Sequence, residues 1–208
     1  MRKPVEHPTQ RKIAFLVDGD KEKLLVEALA RKVVERHRPA SPPDFVTIRL
    51  AGTPREGIFS LVEVLLTQTY QRFFILFNTG STSRRRIADM ASEIHEPLVR
   101  ARLEDKVSII PLVPSIDSWV LADEEALARA AGRRWTGDVP HERSRPEDVL
   151  RVLLGGWGPK EQKRVARYLD PERMRGGDKG FDAFVRALQL ALGAGHAPVS
   201  EEREPAVT

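Results

Sequence analysis

Apolar residues form unbroken runs at 13–17 and 73–77, and a mainly apolar run at 107–113. Runs of this length are typical of strands that are buried on both faces of a sheet. A fourth segment, 45–50, alternates along its length and also reads as a strand. Asp18-Gly19-Asp20 ends the first strand as a turn. The pattern therefore predicts four strands.

Helical spacing of apolar residues fills the intervals between these strands. It predicts helices over 21–36 and 56–71, and a third from about Arg84 that Pro97 breaks or restarts. Strands that alternate with helices indicate a parallel sheet with helices on both faces. The expected fold class is α/β, with a parallel four-stranded Rossmannoid sheet.

Beyond Ser115 the pattern is helical. Short helices are predicted at 116–122, 124–131, 146–154 and 160–168, and Asp178 caps a last one. Asp123 is expected to be the N-cap of the helix at 124–131, and 132–144 reads as a loop. The predicted organisation is a core over 12–114, a helical C-terminal part over 115–192 packed on it, and disordered tails at 1–11 and 193–208.

Composition narrows the class of protein. The chain has 208 residues and no cysteine, which excludes disulfides and thiolate zinc sites. It has no apolar run long enough to span a membrane, and its polar N-terminus lacks the apolar centre of a signal peptide. The expected location is the cytoplasm.

Basic residues are clustered although the net charge is only +4. Arg84, Arg85 and Arg86 form one run. A second group has helical spacing and comprises Lys160, Lys163, Arg164 and Arg167. Such clusters can hold the phosphates of nucleic acids. The competing interpretation is that they are solvated faces of helices.

Acidic residues follow two of the predicted strands: Asp18, Asp20 and Glu22 after the first, and Asp117 and Asp123 after the fourth. In open parallel sheets, ligands bind at the carboxyl ends of the strands. No histidine has ligand spacing to another, and sites made of carboxylates alone suit Mg²⁺ or Mn²⁺. The alternative is structural, with Asp18 as a helix cap and Glu22 as a partner of the helix dipole.

The loop at 78–83 allows two interpretations as well. Its small polar residues and Gly80 come before a helix and an arginine run, so they could present N–H groups and hydroxyls to an anion. They could equally be a plain capping loop. Trp119 lies at an apolar helical position and is expected in the core, and packing roles are also expected for Trp135 and Trp157.

Three stretches resemble a known family. They are Val-Asp-Gly-Asp-Lys-Glu at 17–22, Asp-Ser-Trp-Val-Leu-Ala-Asp at 117–123 and Gly-Phe-Asp-Ala-Phe at 180–184. The first is similar to the opening Toprim motif, Glu-Gly-x-Thr-Glu. The second is similar to the Glu-x-Trp-Leu-Leu-Ala-Asp signature of small Toprim-like proteins related to OLD-type nucleases and RloB-like proteins of bacterial defence loci. The likeness covers roughly 12–192.

The resemblance implies roles for the acids. Asp18 stands at the first motif's glutamate, a metal ligand or general base, and Glu22 at its second acid. Asp117 and Asp123 stand at the acids of the downstream signature, and Asp20 is a candidate extra ligand. Toprim domains carry Asp-x-Asp after the third strand, where this chain has Asn-Thr-Gly at 78–80. Fewer acidic ligands lower the expected affinity for magnesium.

Three functions remain open at this point. The first is a magnesium-dependent nuclease or related phosphoryl-transfer enzyme with Asp18 and Glu22 at its centre. The second is a catalytically inactive module that binds DNA, RNA, a nucleotide or an operon-encoded protein as a sensor or regulator. The third is a structural domain of a larger complex. All three rest on analogy with a fold.

Overall fold

The fold is described by a computed structural model over residues 11–39, 41–50, 55–132 and 145–193. Its strands are β1 (Lys12–Val17), β2 (Asp44–Arg49), β3 (Arg72–Asn78) and β4 (Val107–Leu112). They form one four-stranded sheet in the order β2-β1-β3-β4, and every pair of neighbours is parallel. The predicted α/β class and parallel sheet are confirmed.

The first three described helices alternate with the strands, and the others follow β4. They are α1 (Asp20–His37), α2 (Arg55–Thr67), α3 (Arg84–Arg100), α4 (Asp117–Leu121), α5 (Glu124–Ala131), α6 (Pro146–Leu154), α7 (Pro159–Tyr168), α8 (Pro171–Gly177) and α9 (Lys179–Ala191). Sequence patterning missed α8, because this short helix has one buried apolar side chain besides its first proline, that of Met174. No described helix is long and apolar enough to cross a membrane.

The central strands divide their side chains between two cores. Phe15 and Val17 of β1 face the first core, which also contains residues of α1 and of all helices from α4 to α9. Leu16 faces the second core, which α2 and α3 complete. Alternate residues of a strand point to opposite faces, so an unbroken apolar run is what a strand between two helical layers requires.

Several local predictions can be compared with the structure. Asp123 and Asp178 are the N-caps of α5 and α9, since their carboxylates accept hydrogen bonds from Ala126 N and Phe181 N. The predicted break at Pro97 is wrong, because α3 runs through it to Arg100. Burial of Ile94 and Leu98 in the second core, on both sides of the proline, holds that helix together.

Some predictions concern residues outside the described part of the chain. Apart from residues 11, 132 and 193, this holds for the tails at 1–11 and 193–208 and for the loop at 132–144. Trp135 lies there as well. Trp119 and Trp157 are both buried, as expected for packing side chains.

Candidate functional site

The β1–α1 junction brings Asp18 and Glu22 to a common partner at the end of β3. The backbone N–H of Asn78 donates to Asp18 Oδ2 at 2.6 Å, and Asn78 Nδ2 donates to Glu22 Oε1 at 3.0 Å. Asn78 Oδ1 accepts a hydrogen bond from the N–H of Ile116 at 3.2 Å, beyond β4. One asparagine therefore links the ends of β1, β3 and β4. The two acids of the first motif therefore share one hydrogen-bonding partner.

Gly19 allows the Glu22 carboxylate to fold back over the turn. A Cβ at Gly19 would lie 2.8 Å from Glu22 Oε2, closer than carbon and oxygen can approach. Gly19 is also the N-cap of α1, and no side chain caps that helix. The interpretation of Asp18 as the helix cap is therefore wrong, whereas Glu22 does lie in the first turn and is only 4% exposed.

Asp117 is fully buried and accepts hydrogen bonds on both carboxylate oxygens. Lys21 Nζ lies 2.7 Å from Oδ2, and Ser115 Oγ donates to the same oxygen at 3.0 Å. Trp157 Nε1 donates to Oδ1 at 2.7 Å. Lys21 also contacts Glu147, at 3.2 Å. The ammonium group of Lys21 thus neutralises Asp117, an acid that the resemblance to Toprim-like proteins places among the metal ligands.

The charge of Lys21 is secure at physiological pH. Burial by itself would lower the pKa of Lys21, but hydrogen bonds and charge attraction from Asp117, and then from Glu147, outweigh burial and raise this pKa above 10.5. The group stays protonated throughout the neutral range. A permanent positive charge therefore lies against Asp117.

Asp123 has a comparable set of partners. Its Oδ1 accepts from Ala126 N at 3.0 Å and Arg173 Nε at 2.7 Å, and its Oδ2 accepts from Asp170 N at 2.7 Å and Arg173 Nη2 at 3.1 Å. The hydrogen bond from Arg173 to Asp123 is the main cause of a raised pKa of Arg173, against a smaller lowering by burial. Asp123 is thus a buried acid whose hydrogen bonds connect the start of α5 to α8.

Asp20, the remaining predicted ligand, lies on the surface. Its carboxylate is mostly exposed and pairs with Arg49 of β2 at 2.7 Å. Within the described residues, no group of three or more histidine, cysteine, aspartate or glutamate side chains could hold a metal ion. The donors around Asp117 and Asp123 do not fit a metal, because a cation would have to displace Lys21 or Arg173 and several hydrogen bonds. Asp18 and Glu22 each accept a hydrogen bond from Asn78, a neutral donor.

The loop after β3 is tied to the end of β4. Thr79 is buried, and its hydroxyl oxygen lies 2.7 Å from Ser81 O, to which it donates, and 3.1 Å from Leu112 O. Gly80 has a φ of 59°, in the left-handed region that favours glycine, and its N–H donates to Pro114 O. Part of the polar character of this loop is therefore structural.

The two basic clusters lie on opposite sides of the sheet. Arg84, Arg85 and Arg86 are all exposed in the first turn of α3, the helix that packs into the second core. Lys160 and Lys163 are exposed on α7, and Arg164 is partly buried there. That helix packs on α1 and α5 through the first core. The structure does not join the two clusters into one surface.

Sequence reasoning missed Lys21, Trp157 and Arg173 as the groups that hold the acids. Lys21 stands inside the first motif, between two acids, and this position was the available signal. Asn78 had been noted as the place of a lost acid, and the structure gives it a bridging role.

Comparisons with known proteins give little to set beside this geometry. No protein-family model matches the chain, and no curated protein matches it. A crystal structure of a YwlE mutant from Bacillus subtilis is similar at 13% identity and a TM-score of 0.26, over 76% of this chain and 97% of that one. A likeness at that score carries no argument about fold or function.

Proposed function

We propose that the chain is a Toprim-like module that binds the backbone of DNA or RNA without cleaving it. It would act in the cytoplasm as a sensor or regulator in a bacterial defence or mobile-element system. The observation that carries the proposal is the Lys21 ammonium 2.7 Å from Asp117 Oδ2. This contact neutralises one of the acids that the resemblance implies as a metal ligand.

The electrostatics of this contact disfavour a divalent ion. A metal near Asp117 would be repelled by Lys21, whose positive charge persists through the neutral range. The acids that Toprim domains carry after the third strand are replaced here by Asn-Thr-Gly at 78–80. Fewer carboxylates and one added cation both reduce the affinity for magnesium.

Arg84, Arg85 and Arg86 supply the nucleic-acid contact in this proposal. Their side chains are exposed, and none forms an ion pair with any residue that the structure describes. They follow the loop at the carboxyl end of β3, and the first turn of α3 contains no acidic residue. Arginines together with the N–H groups of a helix start bind phosphate oxygens without reading sequence.

A second candidate is a magnesium-dependent nuclease or phosphoryl-transfer enzyme. It is favoured by the common attachment of Asp18 and Glu22 to Asn78 at the carboxyl end of β1. In this candidate both carboxylates would hold Mg²⁺ or Mn²⁺, and Asp18 would be the general base. Metal ions at such sites activate water and neutralise phosphate charge.

Cleavage assays separate the two candidates. The chain is incubated with single-stranded DNA, duplex DNA and RNA in Mg²⁺ or Mn²⁺, alongside Asp18→Asn and Glu22→Gln. Asp20→Asn is the matched control, since Asp20 is an exposed acid of the same segment. We expect no cleavage above background. Cleavage that Asp18→Asn and Glu22→Gln abolish and Asp20→Asn preserves would replace the binding module with the nuclease.

Binding assays test the contact with nucleic acid. The variant Arg84→Ala/Arg85→Ala/Arg86→Ala should weaken binding and reduce the slope of log K against log salt by roughly 2 to 3. The matched control replaces Arg129, Arg151 and Arg186, each of which pairs with an acid four residues earlier in the chain, by alanine. An unchanged slope in the α3 variant would remove these arginines from the proposal.

A further inference from the structure

The outward face of α7 carries four cations in a single stripe. They are Lys160, Lys163, Arg164 and Arg167. These positions are separated by three, four and seven residues from the first, so they share one face of a helix. The opposite face is buried through Gln162, Val165 and Ala166. Lys160, Lys163 and Arg167 are exposed on the side away from the core, and Arg164 is partly buried beside them.

Several cations of the neighbouring helices α1, α5 and α8 have acidic partners. Arg36 of α1 pairs with Asp170, Arg129 of α5 with Glu125, and Arg173 of α8 with Asp123. Within the described part of the chain, none of the four on α7 forms an ion pair.

The one acidic residue of α7 does not neutralise the stripe. Glu161 turns back to the start of the helix, where its carboxylate accepts the N–H of Gly158 at 3.1 Å. The positive charge of this face is therefore uncompensated by the described residues.

The chemistry of the stripe suits a linear polyanion. Seven residues of helix span about 10 Å, so four charges occupy about 10 Å of length. Duplex nucleic acid presents a phosphate charge every 1.7 Å or so of its axis. Large apolar side chains, which anchor protein partners or enter lipid, are missing between the four cations. Tyr168, partly exposed, lies only at the end of the helix.

We propose that α7 is a second and independent docking surface for nucleic-acid backbone. The sheet and α1 separate it from the arginines of α3, because Val165 and Ala166 belong to the first core whereas Ile94 and Leu98 belong to the second. Each surface then contacts its own stretch of backbone, and one chain holds two segments. The inference rests on the proposed function for its class of ligand, but it concerns a different surface.

The experiment counts short duplexes bound per chain. A 12-base-pair DNA duplex is titrated into the full chain at low salt, and stoichiometry and salt slope are measured for three proteins besides the unaltered chain. One is Lys160→Ala/Lys163→Ala/Arg167→Ala. Arg164 is left unchanged, because its Nε is buried and has no hydrogen-bond partner among the described residues. The others are the α3 triple variant and the control at Arg129, Arg151 and Arg186.

The expected result is two duplexes per unaltered chain, and one for each of the α7 and α3 variants. The control should keep two, and circular dichroism melting should show that all variants are folded. Full stoichiometry and slope in the α7 variant would overturn the inference while leaving the α3 contact intact. Loss only in the α7 variant would retain the inference and contradict the contact proposed for α3. Displacement of DNA by poly-glutamate at equal charge concentration would show a general acid-binding face and overturn the assignment to nucleic acid.

Discussion

Two pairs of acids follow the strands of this protein, and the chain holds them in different ways. The cation-paired acids, Asp117 and Asp123, are buried against Lys21 and Arg173. The amide-held acids, Asp18 and Glu22, accept hydrogen bonds from Asn78. Motif comparison places all four in one class, so their different surroundings decide which of them are structural.

The partners of each acid indicate whether it has a structural role. The Lys21–Asp117 pair joins α1 of the core to α4 of the helical C-terminal part, whereas the Arg173–Asp123 pair joins α8 to the start of α5 within that part. Removing one partner of a buried ion pair leaves a charge without compensation and is strongly destabilising. Glu22 forms no ion pair with any described residue, so its negative charge is more available to an added cation.

The largest expected effect comes from breaking the Lys21–Asp117 pair. Lys21→Met keeps the length of the side chain but leaves the Asp117 carboxylate buried without a cation. We expect the free energy of unfolding to fall by about 3 kcal/mol. Urea unfolding measures the change, with an unchanged m value as the sign that the native state is otherwise intact.

Lys23→Met is the matched control, since Lys23 is an exposed lysine of the same helix. We expect it to change stability by less than about 0.5 kcal/mol. Equal effects in Lys21→Met and Lys23→Met would contradict the structural role assigned to the cation-paired acids.

A second test compares Gly177, which packs against Ala122 next to Asp123, with Gly19, which packs against Glu22. A Cβ at Gly177 would lie 2.9 Å from Ala122 Cβ and 3.1 Å from Ala122 O, in the turn before Asp123. The backbone of Ala122 cannot move without disturbing its neighbours, so Gly177→Ala should lower the free energy of unfolding by about 2 kcal/mol. A Cβ at Gly19 would contact only the end of the flexible Glu22 side chain, which can move away. Gly19→Ala should therefore cost about 1 kcal/mol, which is the loss of the hydrogen bond from Asn78 to Glu22. Thermal unfolding of both variants gives the ranking, and the reverse order would refute this reading of the two contacts.

Neutralising the acids sharpens the comparison at smaller magnitude. Glu22→Gln removes a buried charge that has no described ion pair and keeps an acceptor for Asn78 Nδ2, so we expect a change below about 1 kcal/mol. Asp117→Asn deprives Lys21 of its nearest partner and should cost about 2 kcal/mol. Urea unfolding midpoints of the two variants give the comparison. A larger loss of stability in Glu22→Gln than in Asp117→Asn would reverse the roles assigned to the two acids.

The smallest effect is a pH dependence at Asp170, whose N–H supports Asp123. The hydrogen bond from Arg36 lowers the pKa of Asp170 below 3.8, against a smaller raising by burial. A lowered folded-state pKa contributes stability that is present above pH 3.8 and is lost as the pH falls through the folded value. Because the pair is partly exposed, this contribution is less than about 1 kcal/mol.

Asp170→Asn isolates that charge, since asparagine can still cap α8 as Asp170 does through Glu172 N. We expect the stability gap between the two proteins to be present at pH 7 and to close below about pH 3.8. Unfolding curves across that range provide the measurement. A gap that stays constant with pH would mean that the charge of Asp170 contributes nothing.

Local patterns predicted most of the secondary structure. The apolar runs at 13–17 and 73–77 became β1 and β3, and the capping roles of Asp123 and Asp178 are confirmed. Each of these depends on residues a few positions apart, whose preferences act whatever the rest of the chain does. The error at Pro97 shows the limit, because packing of Ile94 and Leu98 outweighed a local preference.

The candidate site was predictable only in part. The sequence determined by itself that the chain is α/β and that acids follow its strands, with Asp18 and Glu22 in one segment after the first. Only the tertiary structure decided that Lys21 binds Asp117, 96 residues away, that Trp157 donates to the same acid across 40 residues, and that Asn78 joins Glu22 across 56. It also decided that the arginines of α3 and the cations of α7 lie on opposite sides of the sheet. The physical reason is that spacing along a chain specifies which side chains share a helix or strand, whereas the partner of a buried charge is set by how the layers pack.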